Sequence, residues 1–234
     1  MGSRTPLSLS LSLLLSLTGV CWTICAHAEP LSAHQPHLEA SLGVRASKVA
    51  SAGFDPFADS DDLVQVSLGL GGTVLRWQRL SLAAVGFWDY GERGSTARGA
   101  QSSLGVHRLT VGPELRYHLL TPLYVFAHVL PAFAHSRASL DDSLTNAPRS
   151  AQHWSYGADF ALGAGCEVYG EHNTDWRRPR LWVIAEGGYG ALGSTKLRLA
   201  PEAGQGAPER TAPVDLGSLS LAGPYLRLSA AVSF

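Results

Sequence analysis

The stretch Arg108-Leu109-Thr110-Val111-Gly112-Pro113-Glu114-Leu115-Arg116-Tyr117-His118-Leu119 sorts its side chains by parity. Leu109, Val111, Leu115, Tyr117 and Leu119 occupy one set of alternate positions; Arg108, Thr110, Gly112, Glu114, Arg116 and His118 occupy the other. A period of two is the mark of a β-strand, whose successive side chains point to opposite faces. One face here is greasy, and the other is polar and charged.

The pattern repeats on both sides. Upstream, Leu38, Ala40, Leu42 and Val44 alternate with Glu39, Ser41, Gly43 and Arg45. Val64, Val66, Leu68, Leu70 and Val74 then alternate with Gln65, Ser67, Gly69, Gly71 and Thr73, and after a tight turn at residues 77–79 a third strand carries Leu80, Leu82, Ala84, Trp88 and Tyr90 on its apolar side. Downstream, residues 123–134 form a less regular strand, apolar on both parities and holding Pro131. Trp154, Tyr156, Ala158, Phe160, Leu162, Ala164 and Val168 oppose Ser155, Gly157, Asp159, Gly163, Gly165 and Glu167. Leu181, Val183, Ala185 and Tyr189 oppose Glu186, Gly188 and Gly190; Leu226, Leu228, Ala230, Val232 and Phe234 oppose Arg227, Ser229 and Ser233. Long connections at residues 47–62, 91–102, 136–151 and 193–217 alternate with shorter ones near Trp77, Thr121 and Asn173. Such asymmetry, over about eight strands, belongs to barrels with long external loops and short inner turns.

Composition decides which face is wet. Asp, Glu, Lys and Arg make up 16% of the chain, against about 25% in a typical soluble domain. Only Lys48 and Lys196 are lysines, too few for a soluble barrel's outer face. The apolar parity is therefore expected outside, against hydrocarbon, with Gly, Ser, Glu and Arg inside. Trp88, Tyr90, Trp154 and Tyr156 near one rim, with Tyr117 and Phe234 near the other, match interfacial aromatic girdles. A formal net charge of -1 leaves no basic footprint and argues against nucleic-acid binding.

The amino-terminal segment carries an export pattern. Arg4 precedes a Leu/Ser-rich run at residues 7–20, and Ala26-His27-Ala28 is a small-x-small cleavage site. The run falls short of the roughly 20 apolar residues of a spanning helix. Residues 1–28 are expected to be a removed signal peptide, 29–36 a lead and 37–234 one barrel domain. Cys21 and Cys25 leave with the signal, so the remaining Cys166 has no disulfide partner; its parity places it towards lipid as a small apolar residue.

With these strands in place, the closing run Tyr225-Leu226-Arg227-Leu228-Ser229-Ala230-Ala231-Val232-Ser233-Phe234 resembles the terminal strand of the small eight-stranded outer-membrane β-barrel family of Gram-negative bacteria. The resemblance implies an all-β, closed antiparallel transmembrane barrel of up-and-down topology. It also implies that Phe234 ends an assembly signal read by the barrel assembly machinery, with periplasmic chaperones and outer-membrane lipid as partners. Pro113, Pro131 and Pro224 depart from the pattern, and each is expected to mark a bulge or break, since proline cannot donate to a ladder.

Interior parity gathers Glu39, Arg45, Glu114, Arg116, His128, Asp159, Glu167, Glu186 and Arg227 into an expected lumen charge network. Buried charges must be paired and hydrogen-bonded, and barrels of about eight strands have interiors that side chains just fill, so a structural plug is the favoured role and a narrow pore its rival. A turn centred near Thr121 sets Glu114 opposite His128 within the lumen and His107 opposite His135 near the external rim, the latter a histidine pair with pH-sensing or zinc-binding chemistry but no third ligand. Asp55, Asp59, Asp61 and Asp62 make the first long loop acidic without the glycine and terminal Glu of a calcium loop. Ser155 with His153, and Asp141 and Asp142 with His135, are the pairings an outer-membrane lipid-modifying or proteolytic enzyme would need. No cofactor is implied. The leading expectation is a non-enzymatic barrel with mobile external loops, including residues 201–213, in a structural or surface-interaction role.

Overall fold

The computed structural model describes residues 38–97, 100–142, 148–170, 179–201 and 213–234. The expected signal peptide and lead, the centre of the 201–213 loop and most of the 170–179 connection lie outside the described residues. Ten strands form: β1 (Leu38–Lys48), β2 (Asp62–Trp77), β3 (Leu80–Ala97), β4 (Ala100–Leu120), β5 (Leu123–Asp142), β6 (Arg149–Tyr169), β7 (Arg180–Leu192), β8 (Thr195–Pro201), β9 (Val214–Leu219) and β10 (Gly223–Ser233). β1 to β6 each pair antiparallel with the next, β7 pairs with β10, and β10 returns to β1, closing an eight-stranded ring. Leu38 and Phe234 exchange backbone hydrogen bonds where the ring closes.

Parity separates the two faces. Leu42, Val44, Leu68, Leu70, Leu109, Leu115, Phe160, Leu162, Leu226 and Leu228 are exposed on the outer wall, Leu228 by 46%; Arg45, Asp89 and Asp159 inside are exposed by 1% or less. That is the reverse of a water-soluble barrel. Trp77, Tyr117, Tyr169 and Phe234 are exposed near the short-turn end, and Trp88, Trp154 and Tyr156 are exposed partway along the longer β3 and β6.

Connections depart from the simplest expectation at the long-loop end. Residues 91–102 and 136–151 are mostly strand, because β3, β4, β5 and β6 run for 18, 21, 20 and 21 residues. A tilted strand needs only roughly 9–11 residues to cross hydrocarbon, so these hairpins project well beyond it. Residues 193–217 hold β8 and β9, an added hairpin pinned to the projecting end of β6 through Ser150 and Ala200. The acidic loop at 47–62 is more than a solvated tether. Its aspartates face water, but Phe54 and Phe57, around a one-turn 3-10 segment (Asp55–Phe57), are fully buried in the barrel mouth.

At the short-turn end, β2 and β3 meet through Gln78 and Arg79, and Gln78 adopts φ 49°, the left-handed geometry that two-residue hairpins require. Register shifts fall between Thr73 and Leu75, His118 and Leu120, and Glu167 and Tyr169, immediately above the three short connections. None of the three prolines, each expected to mark a bulge or a break, sits at a register shift. Pro224 sits at the start of β10, beyond the last pair with β1, where its missing donor is harmless. Pro113 and Pro131 share one lapse in the β4–β5 ladder with no register shift.

Cys166 also differs from expectation. It is only 3% exposed, covered between its cross-strand partners Leu123 and Val183, with its thiol 3.7 Å from the Glu167 carbonyl oxygen. Next to it, Gly165 gives room to the Tyr124 ring, which a Cβ would strike. Gly165→Val is expected to destabilise the folded barrel by about 1–3 kcal/mol, the usual cost of overpacking. Urea unfolding in detergent micelles measures it; an unchanged midpoint would show that the ring has free space.

Candidate functional site: the barrel lumen

Three layers fill the lumen. Nearest the short turns, Tyr124, Phe126, Trp182 and Ala231 form an aromatic floor, with Trp182 Nε1 donating to Ser233 Oγ at 2.8 Å. At the loop end, Phe54, Phe57, Leu63, Leu104, Val106, Leu192, Leu197, Leu199, Leu219 and neighbouring alanines form an apolar cap. The interior is therefore not the uniformly Gly/Ser/Glu/Arg channel that parity alone implies.

Between floor and cap lie two ion clusters. In the first, Arg45 Nη1 donates to Asp159 Oδ2 at 2.7 Å and to Asp89 Oδ2 at 3.2 Å. Arg227 reaches Asp89 Oδ2 at 3.0 Å and Glu186 Oε1 at 2.8 Å, and Arg108 pairs with Asp159. Arg45, Arg108 and Arg227 thus face Asp89, Asp159 and Glu186, a formally neutral set drawn from β1, β3, β4, β6, β7 and β10. The Arg45 guanidinium lies 3.6 Å above the Tyr225 ring and that of Arg227 lies 4.1 Å above Phe87, adding cation–π attraction in a desolvated site. In the second cluster, Arg116 joins Glu114 Oε1 at 2.7 Å to Glu39 Oε2 at 2.9 Å, and Glu114 Oε2 is 3.0 Å from His128 Nδ1.

Every residue of the expected network is buried, but the structure does not join them all. Glu39, Glu114, Arg116 and His128 form one group, and Arg45, Asp159, Glu186 and Arg227 belong to the other. Glu167 stands apart, 3.7 Å from Arg180 near the short-turn end. Asp89 and Arg108 were missed, although the alternation of Trp88 and Tyr90, and of Leu109 with its neighbours, already assigns both to the inside. Phe234 lies at the ring closure on the short-turn side, away from both clusters.

The packing leaves little room. A cavity bounded by Glu39, Glu114, Arg116, Tyr124, Glu186 and Arg227 measures about 10 Å³, roughly the least that one water needs.

The other sequence candidates fall outside the lumen clusters. His107 and His135 are paired as expected, but on the outer wall within the aromatic band: the His107 ring is tilted 4.6 Å from that of Tyr90, the His135 ring 4.8 Å from that of Trp154, and the two imidazoles are 6.4 Å apart. Asp141 is six residues from His135 on one strand, about 20 Å at strand rise, so they cannot form a dyad. Ser155 and His153 share the inward parity of β6, where His153 pairs with Ser136. Among the described residues, no three His, Cys, Asp or Glu converge as a metal site.

No family model matches the chain, and no curated protein matches it. Among solved structures, Ail, the attachment invasion locus protein of Yersinia pestis, aligns with a TM-score of 0.51 at 11% identity, over 86% of this chain and 100% of Ail. Ail in complex with the heparin analogue sucrose octasulfate aligns at 0.52 and 12% identity, with the same coverage. A major outer membrane protein from Thermus thermophilus aligns at 0.49 and 12%, over 84% of this chain and 99% of that one. The closed antiparallel ring and the two Ail alignments give the fold of the small eight-stranded outer-membrane β-barrels. Identities this low carry the architecture and nothing finer.

Proposed function

We propose that this chain is a non-enzymatic outer-membrane barrel of a Gram-negative-type bacterium. Its lumen is a structural plug, and its projecting hairpins form a surface for contact with other molecules. One observation carries the reading: floor, ion clusters and cap fill the barrel interior, while β3 to β6 rise far beyond the apolar band. Residues 1–28 direct export, the strand ending at Phe234 is read by the barrel assembly machinery, periplasmic chaperones hold the unfolded chain, and lipid surrounds the folded one. Ail's name speaks of attachment, and its fold supports a surface role of that general kind here. The loop end mixes exposed Asp55, Asp59, Asp61 and Asp62 with Arg137, Lys196 and Arg198. Mixed charge suits protein or headgroup contacts better than a polyanion, the class to which sucrose octasulfate belongs.

Planar-bilayer recording tests the plug. Reconstituted protein is expected to stay silent at applied voltage, and stepwise openings that change in Arg227→Ala would replace the plug with a narrow channel. Prolonged incubation of folded protein with phospholipid, lipopolysaccharide and peptide mixtures is expected to leave all three unchanged; any hydrolysed or acylated product would overturn the non-enzymatic reading.

A further inference from the structure

The β4–β5 seam is discontinuous at one place. Its ladder runs from Ala100 opposite Asp142 to Thr110 opposite Ala132, lapses, and resumes with Glu114 opposite His128 in the same register. In this seam alone Val111, Gly112 and Pro113 have no ladder partner, and the register sets them opposite Pro131, Leu130 and Val129. Two prolines thus remove two donors from one short interval. The flanking seams continue through it, with Pro113 opposite Ala84 on β3 and Pro131 opposite Ala158 on β6. Unpaired backbone facing hydrocarbon is costly, so a lapse confined to one seam is a local weakness in an otherwise closed wall.

A groove of about 770 Å³ lies over this seam on the outer wall. Its lower side follows the cross-strand row Leu82, Leu115, Ala127, Leu162, and its upper side includes Val129 and Phe160. Ala127 is the small member of a row of leucines, and it deepens the groove beside the open ladder. His128 borders the groove, with its imidazole wholly buried on the inner side of β5. Its Nδ1 is held by Glu114, and its Nε2 has no hydrogen-bond partner among the described residues.

We propose that this seam is a lateral lipid-binding notch: an acyl chain of a membrane lipid seats in the groove at Ala127 and enters the interval that Pro113 and Pro131 leave unladdered, as far as His128. The occupant follows from the wall itself, which is apolar on every side of the groove and meets hydrocarbon. The proposal rests on that lipid-facing reading of the wall but not on the plug role. Pro113 and Pro131 have no N–H to bond across this interval, and Leu130, packed behind it on Ala83 and Val85, is the apolar surface a chain would meet.

The test uses the full folded protein in vesicles containing phosphatidylethanolamine with a photoactivatable diazirine in its acyl chain, read by peptide mass spectrometry. Label is expected on outward residues such as Leu70 and Leu228 all round the barrel. It is also expected on His128 and Leu130, which face inward and are reached only through the seam. Pro113→Val with Pro131→Val restores both donors and is expected to lower the inward label severalfold while leaving Leu70 and Leu228 labelled. If that variant does not show folded, heat-modifiable migration, Ala127→Phe, which fills the groove floor, is expected to give the same loss. Label confined to outward residues, or inward label unchanged in the variant that folds, would reduce the groove to ordinary annular lipid contact. Absence of label at Leu70 and Leu228 would instead contradict the lipid-facing wall.

Discussion

Asp89→Ala is expected to lower barrel stability by about 3–5 kcal/mol, the usual result of removing one partner from a buried ion pair. Asp89 is the only described carboxylate in contact with both Arg45 and Arg227, at 3.2 and 3.0 Å. Its loss leaves Arg227 with Glu186 alone and Arg45 with an Asp159 already shared with Arg108. The formally neutral cluster then carries a net positive charge on guanidiniums that are almost wholly buried, and their desolvation cost is uncompensated. Asp59→Ala, on an exposed loop, is expected to change stability by no more than about 0.5 kcal/mol. Urea unfolding in lipid vesicles, followed by tryptophan fluorescence, measures both. Equal midpoints for the two variants would mean that the lumen charges are independently solvated.

Leu228→Arg is expected to cost about 2–4 kcal/mol, as cationic substitutions do near the midplane of a barrel's lipid face. Leu228 lies at the centre of β10, opposite Val44 on β1 and Ala185 on β7, with 46% of its surface open. In a water-facing wall the same substitution would be close to neutral, because an exposed leucine loses little when it becomes an arginine. The sign of the effect thus reports what the wall touches. Refolding yield into vesicles, scored by heat-modifiable gel migration, is expected to fall for Leu228→Arg and to remain near wild type for Leu228→Ala.

Much of this architecture is written in parity. The alternation about Leu109 and Leu115 names a strand and its greasy side, and repetition along the chain supplies the ring. The Glu114–His128 and His107–His135 pairings follow from one turn at Thr121. What parity hides has physical causes. β5 looks irregular because its inward residues Tyr124, Phe126, His128, Leu130, Ala132 and Ala134 pass through floor, ion layer and cap in turn, so its wet parity is largely apolar. The projecting halves of β3 to β6 read as loops because they leave the membrane and no longer need a greasy outer side. Asp89 was overshadowed by the aromatic residues on either side of it. Phe54 and Phe57 were hidden among the aspartates of a polar loop, and only the cap into which they pack gives them a role. The shared lapse at Pro113 and Pro131 needs the register of two strands at once, which neither segment carries alone.

The inside-out wall can be measured residue by residue along β10. Nitroxide labels at Leu226, Leu228 and Ala230, with Arg227 and Ser229 between them, report collision with oxygen, which concentrates in hydrocarbon, and with a water-soluble nickel chelate. High oxygen and low nickel accessibility at Leu226, Leu228 and Ala230, with low accessibility to both at Arg227 and Ser229, is the expected result. Nickel accessibility at Leu226, Leu228 and Ala230 in the vesicle-reconstituted protein would contradict it and leave the barrel wall in water.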